Sequence, residues 1–172
     1  AAVLLSEGGR PQEALRIVRR VLAAAPDSPR AQRMEALLLS AAGRWEEAEA
    51  ALRALVRASG DDLDLTLALA WAEAQNDHLE ASRERLEQAW EARTPGDATA
   101  EARIGLAAAR VELRADHPLR ARDWLERITD PGRVGADLVL LLAETYRRSG
   151  GSGDGVASLL RLQPRLEGRA RA

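Results

Sequence analysis

His78 and His117 are the chain's two histidines, and each directly follows an aspartate. Imidazole can hold a metal, move a proton or switch charge near neutral pH. A metal needs further ligands at coordination spacing. If the two histidines mark equivalent turns of stacked helices, they lie about 10 Å apart, too far to share an ion. They are expected to be polar turn residues. The carboxylate pairs Glu46-Glu47 and Asp61-Asp62 fall where helices should begin, and there they complement the helix dipole. A general acid or base needs a pocket that shifts its pKa, and neither pair has a partner pattern that implies one. Gly150-Gly151-Ser152-Gly153-Asp154-Gly155 lacks the Lys-Ser/Thr ending of a phosphate loop and is expected to be a slack connection. With no cysteine, thiol catalysis, disulfides and cysteine metal sites are excluded. No catalytic residues, cofactor or metal are expected, and the chain is not expected to be an enzyme.

Its composition favours helices. Alanine, leucine, arginine and glutamate account for 103 of 172 residues, all 25 basic residues are arginine, and aromatics are 3%. These are good helix formers, and the β-branched and aromatic residues that favour strands are scarce. A formal net charge of −2 gives no general attraction to nucleic acid. Apolar runs fall far short of the roughly 18 residues of a membrane span.

The chain repeats itself. Steps of 34, 34, 39 and 34 residues carry Gly9 to Gly43, Asp77, Asp116 and Gly150. The same steps align Ala14, Ala48, Ser82, Ala121 and Gly155 as a small-residue column. Four residues later comes Val18, Leu52, Leu86, Leu125 and Leu159, and three further on Val21, Leu55, Ala89, Ile128 and Leu162. Upstream, Ala2, Ala36, Ala70, Ala109 and Ala143 form an all-alanine column. Gly or Asp suits a turn that needs left-handed backbone. The small columns allow helices to approach closely, and apolar residues three and four apart make one buried stripe. Each unit is therefore helix, short turn, helix, and neighbouring units must stack to bury their stripes.

The expected helices lie near 1–8, 11–25, 29–42, 45–58, 62–75, 79–93, 98–115, 118–129, 134–149 and, weakly, 154–163. Pro11 suits a helix start. Thr94-Pro95-Gly96-Asp97 is the clearest break and a candidate hinge. The five extra residues fall there, as a longer leading loop or a longer first helix. The units run 1–28 (partial), 29–62, 63–96, 97–134 and 135–167, with a mobile tail at 168–172 and no separate domain boundary. The chain opens at Ala1 inside an expected helix and is read as a segment of a longer polypeptide. Its compartment is left open, bacterial cytoplasm and periplasm both being compatible.

The period, the helix–turn–helix unit, the small residues flanking the turn and the prolines near unit ends (Pro26, Pro95, Pro131) resemble the tetratricopeptide repeat family. The chain departs from it at Gln32 and Thr66, where that family usually has an early bulky aromatic. Glu35 stands where an apolar residue is preferred. The resemblance implies an all-α, right-handed α-solenoid whose first helices line a concave groove for peptides or partner helices. On that register the groove residues are Arg30, Arg33, Leu37, Asp64, Leu67, Trp71, Gln75, Arg103, Leu106, Arg110, Arg114, Asp137, Leu140, Glu144, Arg147 and Arg148.

Seven of these sixteen are arginine and three are acidic, so the groove is expected to be more basic than the whole protein. Arginine pairs carboxylates bidentately, and Trp71 beside Leu37 and Leu67 supplies an apolar anchor. The implied ligand is an acidic protein segment with apolar anchors; the alternative is a solvated arginine face. Ala68 and Trp71 replace the asparagines with which some relatives grip a chaperone's C-terminal carboxylate, so that activity is not expected. Trp45, Trp90 and Trp124 are expected in the core.

The resemblance implies a non-catalytic interaction scaffold. The alanine–arginine bias is similar to that of high-GC bacteria, where such proteins serve envelope assembly, pilus, secretion or export machinery. Self-association through terminal repeats, or a regulatory arm of a larger enzyme, are the alternatives.

Overall fold

A computed structural model of the protein describes residues 10–60, 62–130 and 135–150. The helices expected near 1–8 and 154–163, the tail, and the column positions Ala2, Gly9, Gly155, Leu159 and Leu162 lie outside the described residues. Among the described residues there are eight helices and no strand: α1 Pro11–Ala24, α2 Pro29–Ala41, α3 Trp45–Ser59, α4 Leu63–Gln75, α5 Leu79–Ala92, α6 Ala98–Arg114, α7 Pro118–Glu126 and α8 Gly135–Ser149. The fold is an all-α helix–turn–helix repeat. The chain forms two compact units, Ala1–Arg85 and Leu86–Ala172.

Every described member of the turn column adopts the backbone its residue type was read to allow. Gly43, Asp77, Asp116 and Gly150 have φ of 72°, 62°, 59° and 73°. Three of these turns close with the same pair of bonds. The amides of Arg44, His78 and His117 donate to the carbonyls of Leu39, Glu73 and Glu112 at 3.0, 2.8 and 2.8 Å. The amides of Gly43, Asp77 and Asp116 donate to Ser40, Ala74 and Leu113 at 3.1, 3.3 and 3.2 Å. This is the Schellman closure, which satisfies the orphan carbonyls of the preceding helix. Arg44 and His117 provide no side-chain cap to the helices that follow. Helices that start after the longer connections are capped instead by Ser28, Asp62 and Asp97, whose side chains accept from Ala31, Leu65, and Thr99 with Ala100.

In the first unit α2 packs on α1 and α3, α4 packs on α3, and α2 also touches α4. The small-residue column is sealed: Ala14, Ala48 and Ser82 are 0% exposed, as is Ala121 in the second unit. The upstream alanines Ala36, Ala70 and Ala109 are equally buried. Ser82 Oγ donates to the Ala70 carbonyl at 2.7 Å, so the two small columns meet there and the buried hydroxyl is satisfied. Val18 and Leu52 in the first unit, and Leu86 and Leu125 in the second, are buried as the stripe column requires.

In the second unit α6 packs on α7, α7 on α8, and α6 reaches α8. The extra residues of this repeat lengthen its first helix: α6 has 17 residues where α2 and α4 have 13. Helix α7 ends at Glu126, three residues before expectation, because the β-branched pair Ile128-Thr129 leads into Asp130-Pro131 and the residue before proline disfavours helix. Ile128 is 7% exposed because Gly105 opens a slot for it. A Cβ on Gly105 would lie 2.8 Å from Ile128 Cγ1 and 3.3 Å from the Trp124 carbonyl. Gly105→Ala is therefore expected to cost about 1–3 kcal/mol through overpacking. Its thermal midpoint against wild type checks this; an unchanged midpoint would mean the slot is slack.

Two column readings are corrected. Val21 is 48% exposed, and Leu55 and Ala89 are only half-buried. That column is buried at Ile128, where a glycine admits the side chain, and Val21 on the last turn of α1 gains no such cover. Ala143 is exposed, unlike its equivalents Ala36, Ala70 and Ala109. Of the tryptophans expected in the core, Trp124 is buried and Trp45 and Trp90 are half-buried. Trp90 meets Trp124 edge-on with centroids 5.7 Å apart. Arg93 covers Trp90 at 3.9 Å and Arg127 covers Trp124 at 4.1 Å, cation–π contacts that shield the partly open ring pair.

Candidate functional site

The first unit presents the outer faces of α2 and α4. Arg30 is exposed, and Leu37, Leu67, Trp71 and Gln75 are half-buried. Leu37 also packs against the core beneath. Arg33 does not stand as a loose cation. Its guanidinium bonds Asp62 and reaches Asp64 Oδ2 at 3.1 Å, joining α2 to the start of α4. Asp62 also caps α4 through Leu65. Burial pushes the Asp62 carboxyl up, but the bonds from Arg33 and the Leu65 amide outweigh it and hold the group below its usual range. Of the groove positions read from register, this face holds Arg30, Arg33 and Asp64, a formal charge of +1.

The second unit presents α6 and α8. Arg103, Arg110 and Arg114 on α6 are exposed, and Leu106 is half-buried. On α8, Leu140 keeps 67% of its surface in solvent. Glu144, one turn on, receives Arg147 through Nε at 2.8 Å and Nη2 at 2.7 Å, and Arg148 through Nε at 2.6 Å. Bonds from Arg147 and then Arg148 lower the Glu144 pKa to about 2. Arg148 Nη1 also donates to the Leu113 carbonyl at 2.7 Å, in the last turn of α6, where the helix dipole favours a cation. The Asp137 side chain lies outside the described residues. By the same register the second unit's face holds five arginines against Asp137 and Glu144, a formal +3, so both faces are more basic than the chain as a whole.

Sequence reasoning passed over a set of buried carboxylates. Glu49, Glu73, Glu101 and Glu112 are 4%, 0%, 3% and 3% exposed. Glu73 on α4 takes Arg85 bidentately, Nε at 2.9 Å and Nη2 at 2.7 Å, with Arg53 at 3.6 Å. Glu49 on α3 is bonded by Arg53 and Asn76, and lies 3.0 Å from His78 Nδ1. Burial pushes Glu49 up, but the bonds from Asn76, Arg53 and His78 prevail and its pKa is lowered. Glu101 accepts from Thr129 Oγ1 at 2.6 Å and pairs with Arg93 at 3.3 Å. Glu112 pairs with His117 at 3.4 Å. Each histidine thus sits just after its turn, with Nδ1 against a buried glutamate. A signal existed: Glu73 and Glu112 occupy the repeat position of Leu39 and Tyr146, and Glu49 that of Leu15.

The family departures have local causes. Glu35 accepts from Arg19 Nε at 2.8 Å, and Gln32 Nε2 donates to the Pro26 carbonyl at 2.8 Å. Glu46 and Glu47 lie in the first turn of α3 as expected. Among the described residues, no helix is long and apolar enough to cross a membrane.

A tetratricopeptide repeat family model matches residues 1–62 and again 33–98. The crystal structure of a thermophilic TPR protein in Thermus thermophilus is similar, with a TM-score of 0.58 and 19% identity. The alignment covers 99% of this chain and 96% of that one. No curated protein matches.

Proposed function

The chain belongs to the tetratricopeptide repeat family, whose repeats generally mediate protein–protein interaction, and from that premise we propose a non-catalytic scaffold that holds a peptide or helix of a partner protein. The contact is made by the first helices of the repeats, α2 and α4 in the first unit and α6 and α8 in the second. The observation that carries this reading is exposure. Arg30, Arg33, Leu37, Leu67, Trp71, Gln75, Arg103, Arg110, Arg114, Glu144, Arg147 and Arg148 all reach solvent, although they include a tryptophan and two leucines that a core would otherwise claim. An aromatic anchor ringed by polar groups is the usual make-up of an interface centre. The partner belongs to a larger bacterial assembly, an envelope or export system, a step that rests on composition and family analogy.

The test is affinity capture from a lysate of the source organism, read by mass spectrometry. Wild type is compared with Trp71→Ala and with Arg110→Glu/Arg114→Glu. Both variants should keep wild-type circular dichroism; the exposed-arginine variant should also keep the thermal midpoint, whereas Trp71→Ala, at a half-buried position, should lower it by a few degrees. A specific partner should drop by about tenfold or more with at least one of them, a loss of about 1.4 kcal/mol. Equal capture by all three proteins would move the partner to the second helices or the connections and overturn the reading. Sedimentation of wild type across a concentration range separates a captured partner from a second copy of the chain.

A further inference from the structure

We infer that α1, a second helix of its repeat, carries a docking surface of its own, separate from the first-helix faces, for an acidic amphipathic helix of a partner protein. The surface lies outside the buried stripe of α1, which is made by Ala14, Leu15 and Val18. Helical spacing brings Glu13, Arg16, Ile17, Arg20, Val21 and Ala24 to one face, at steps of three and four. Ile17 is half-buried, Val21 keeps 48% of its surface in solvent and Ala24 is exposed. An apolar ladder at i, i+4 and i+7 therefore runs along this face. Beside it lies an open cavity of about 470 Å³, lined among the described residues by Glu13, Arg16, Ile17, Arg19 and Arg20.

Charge, shape and the repeat choose the occupant. Arg16 and Arg20 are exposed and pair with no carboxylate among the described residues. Arg19 is committed to Glu35 and Glu47, at 2.8 and 3.3 Å, and Glu13 meets Arg10 at 3.4 Å. Two guanidiniums one helical turn apart are left to take carboxylates from outside, through the paired donors that suit that group. The site is concave, so it receives an inserted side chain. A membrane would instead take apolar residues that protrude into it. The repeat shows what lies over such a position. Ile128 holds the place of Val21 in a later repeat, and it is 7% exposed because α6 passes it with Gly105. The position is built to lie under a helix, and Val21 has kept its surface open. A helix with apolar residues three and four apart matches the ladder of Ile17, Val21 and Ala24. The face has no aromatic side chain on which a nucleic-acid base could stack.

The experiment is fluorescence polarisation on the full chain. The labelled probe is a peptide of two Leu-Glu-Ala-Leu-Glu-Glu-Ala heptads with a closing leucine, and its control has glutamine for every glutamate. The acidic peptide should bind wild type at least about tenfold more tightly than the control, and should weaken several-fold between about 50 and 200 mM salt. Arg16→Gln/Arg20→Gln and Val21→Glu, at exposed sites where circular dichroism should not change, should each weaken it about tenfold. Arg110→Glu/Arg114→Glu, on a first-helix face, should bind within about twofold of wild type. No binding of the acidic peptide, equal binding of the control, or an equal loss with Arg110→Glu/Arg114→Glu overturns the inference. Binding gained only when Val3, Leu4 and Leu5 are replaced by serine would make this chain's own residues the occupant and also overturn it. So would a wild-type dimer in sedimentation that Val21→Glu abolishes, which makes the occupant a second copy, or tighter binding to phosphatidylglycerol vesicles than to the peptide, which makes it a membrane. The first-helix reading is tested apart, by the capture experiment with Trp71→Ala and Arg110→Glu/Arg114→Glu, so either reading can fail alone.

Discussion

Leu52→Ala is expected to destabilise the protein by about 2–5 kcal/mol. Leu52 is 0% exposed on α3, between the sealed small column and the core leucines of α2 and α4. Alanine removes three carbons from a site with no solvent access, so the loss is the transfer free energy plus the cavity left behind. Alanine's better helix propensity returns only a few tenths. Leu86, 1% exposed, holds the same repeat position in the second unit and should behave alike. Arg110 is exposed on α6, and Arg110→Ala should stay within about 0.5 kcal/mol. Urea denaturation of the three variants at one pH gives the comparison. For a chain of this size each kcal/mol moves the thermal midpoint by about 2–4 °C, so the leucine variants should fall by at least about 4 °C. Similar losses for all three would reject the column assignment, because the repeat register alone distinguishes them.

That register was legible in the sequence because some positions admit few residue types. A turn at positive φ tolerates Gly, Asn or Asp, so Gly43, Asp77, Asp116 and Gly150 declare themselves. A helix crossing at close range admits Ala, Ser or Gly, hence Ala48, Ser82 and Ala121. Pairing was not legible. Arg33 reads as a groove cation, and only folding shows it held by Asp62, which caps α4 as well. Val21 has the period of a core residue, but burial depends on what faces it, and period carries no information about that. The buried glutamates lie between these cases. Their positions follow the repeat, so their burial could be inferred from Leu39 and Tyr146; their arginine partners sit on other helices and required the fold. For the candidate faces, exposure followed from helix register, whereas the pairing of Arg33 with Asp62 and of Glu144 with Arg147 and Arg148 required the fold.

Glu73 yields the second large effect. The side chain is 1% exposed and carries a bidentate bond from Arg85, whose own side chain is 23% exposed. Glu73→Ala should cost about 2–4 kcal/mol. The lower part of that range is the cavity; the rest is Arg85 losing its partner, discounted because the guanidinium can still reach water. Arg53, 41% exposed, keeps Glu49 and adds little. Glu73→Leu restores the residue type of Leu39, fills the space and should cost about 1–2 kcal/mol less than alanine. Arg85→Met should cost more than Glu73→Leu, because the charge it strands is the one with no solvent access. The double variant Glu73→Leu/Arg85→Met should recover to within about 1 kcal/mol of wild type, as buried ion pairs replaced by matched apolar groups often do. The coupling energy from this cycle, measured by urea denaturation at neutral pH, should be about 1–3 kcal/mol. A coupling near zero would mean that the pair only fills space. A large coupling with a fully stable double variant would mean that the acid in the apolar column is not there for stability. It would then act on register: leucine at this position can pack against any apolar neighbour, whereas Glu73 is satisfied only where α5 brings Arg85 against α4.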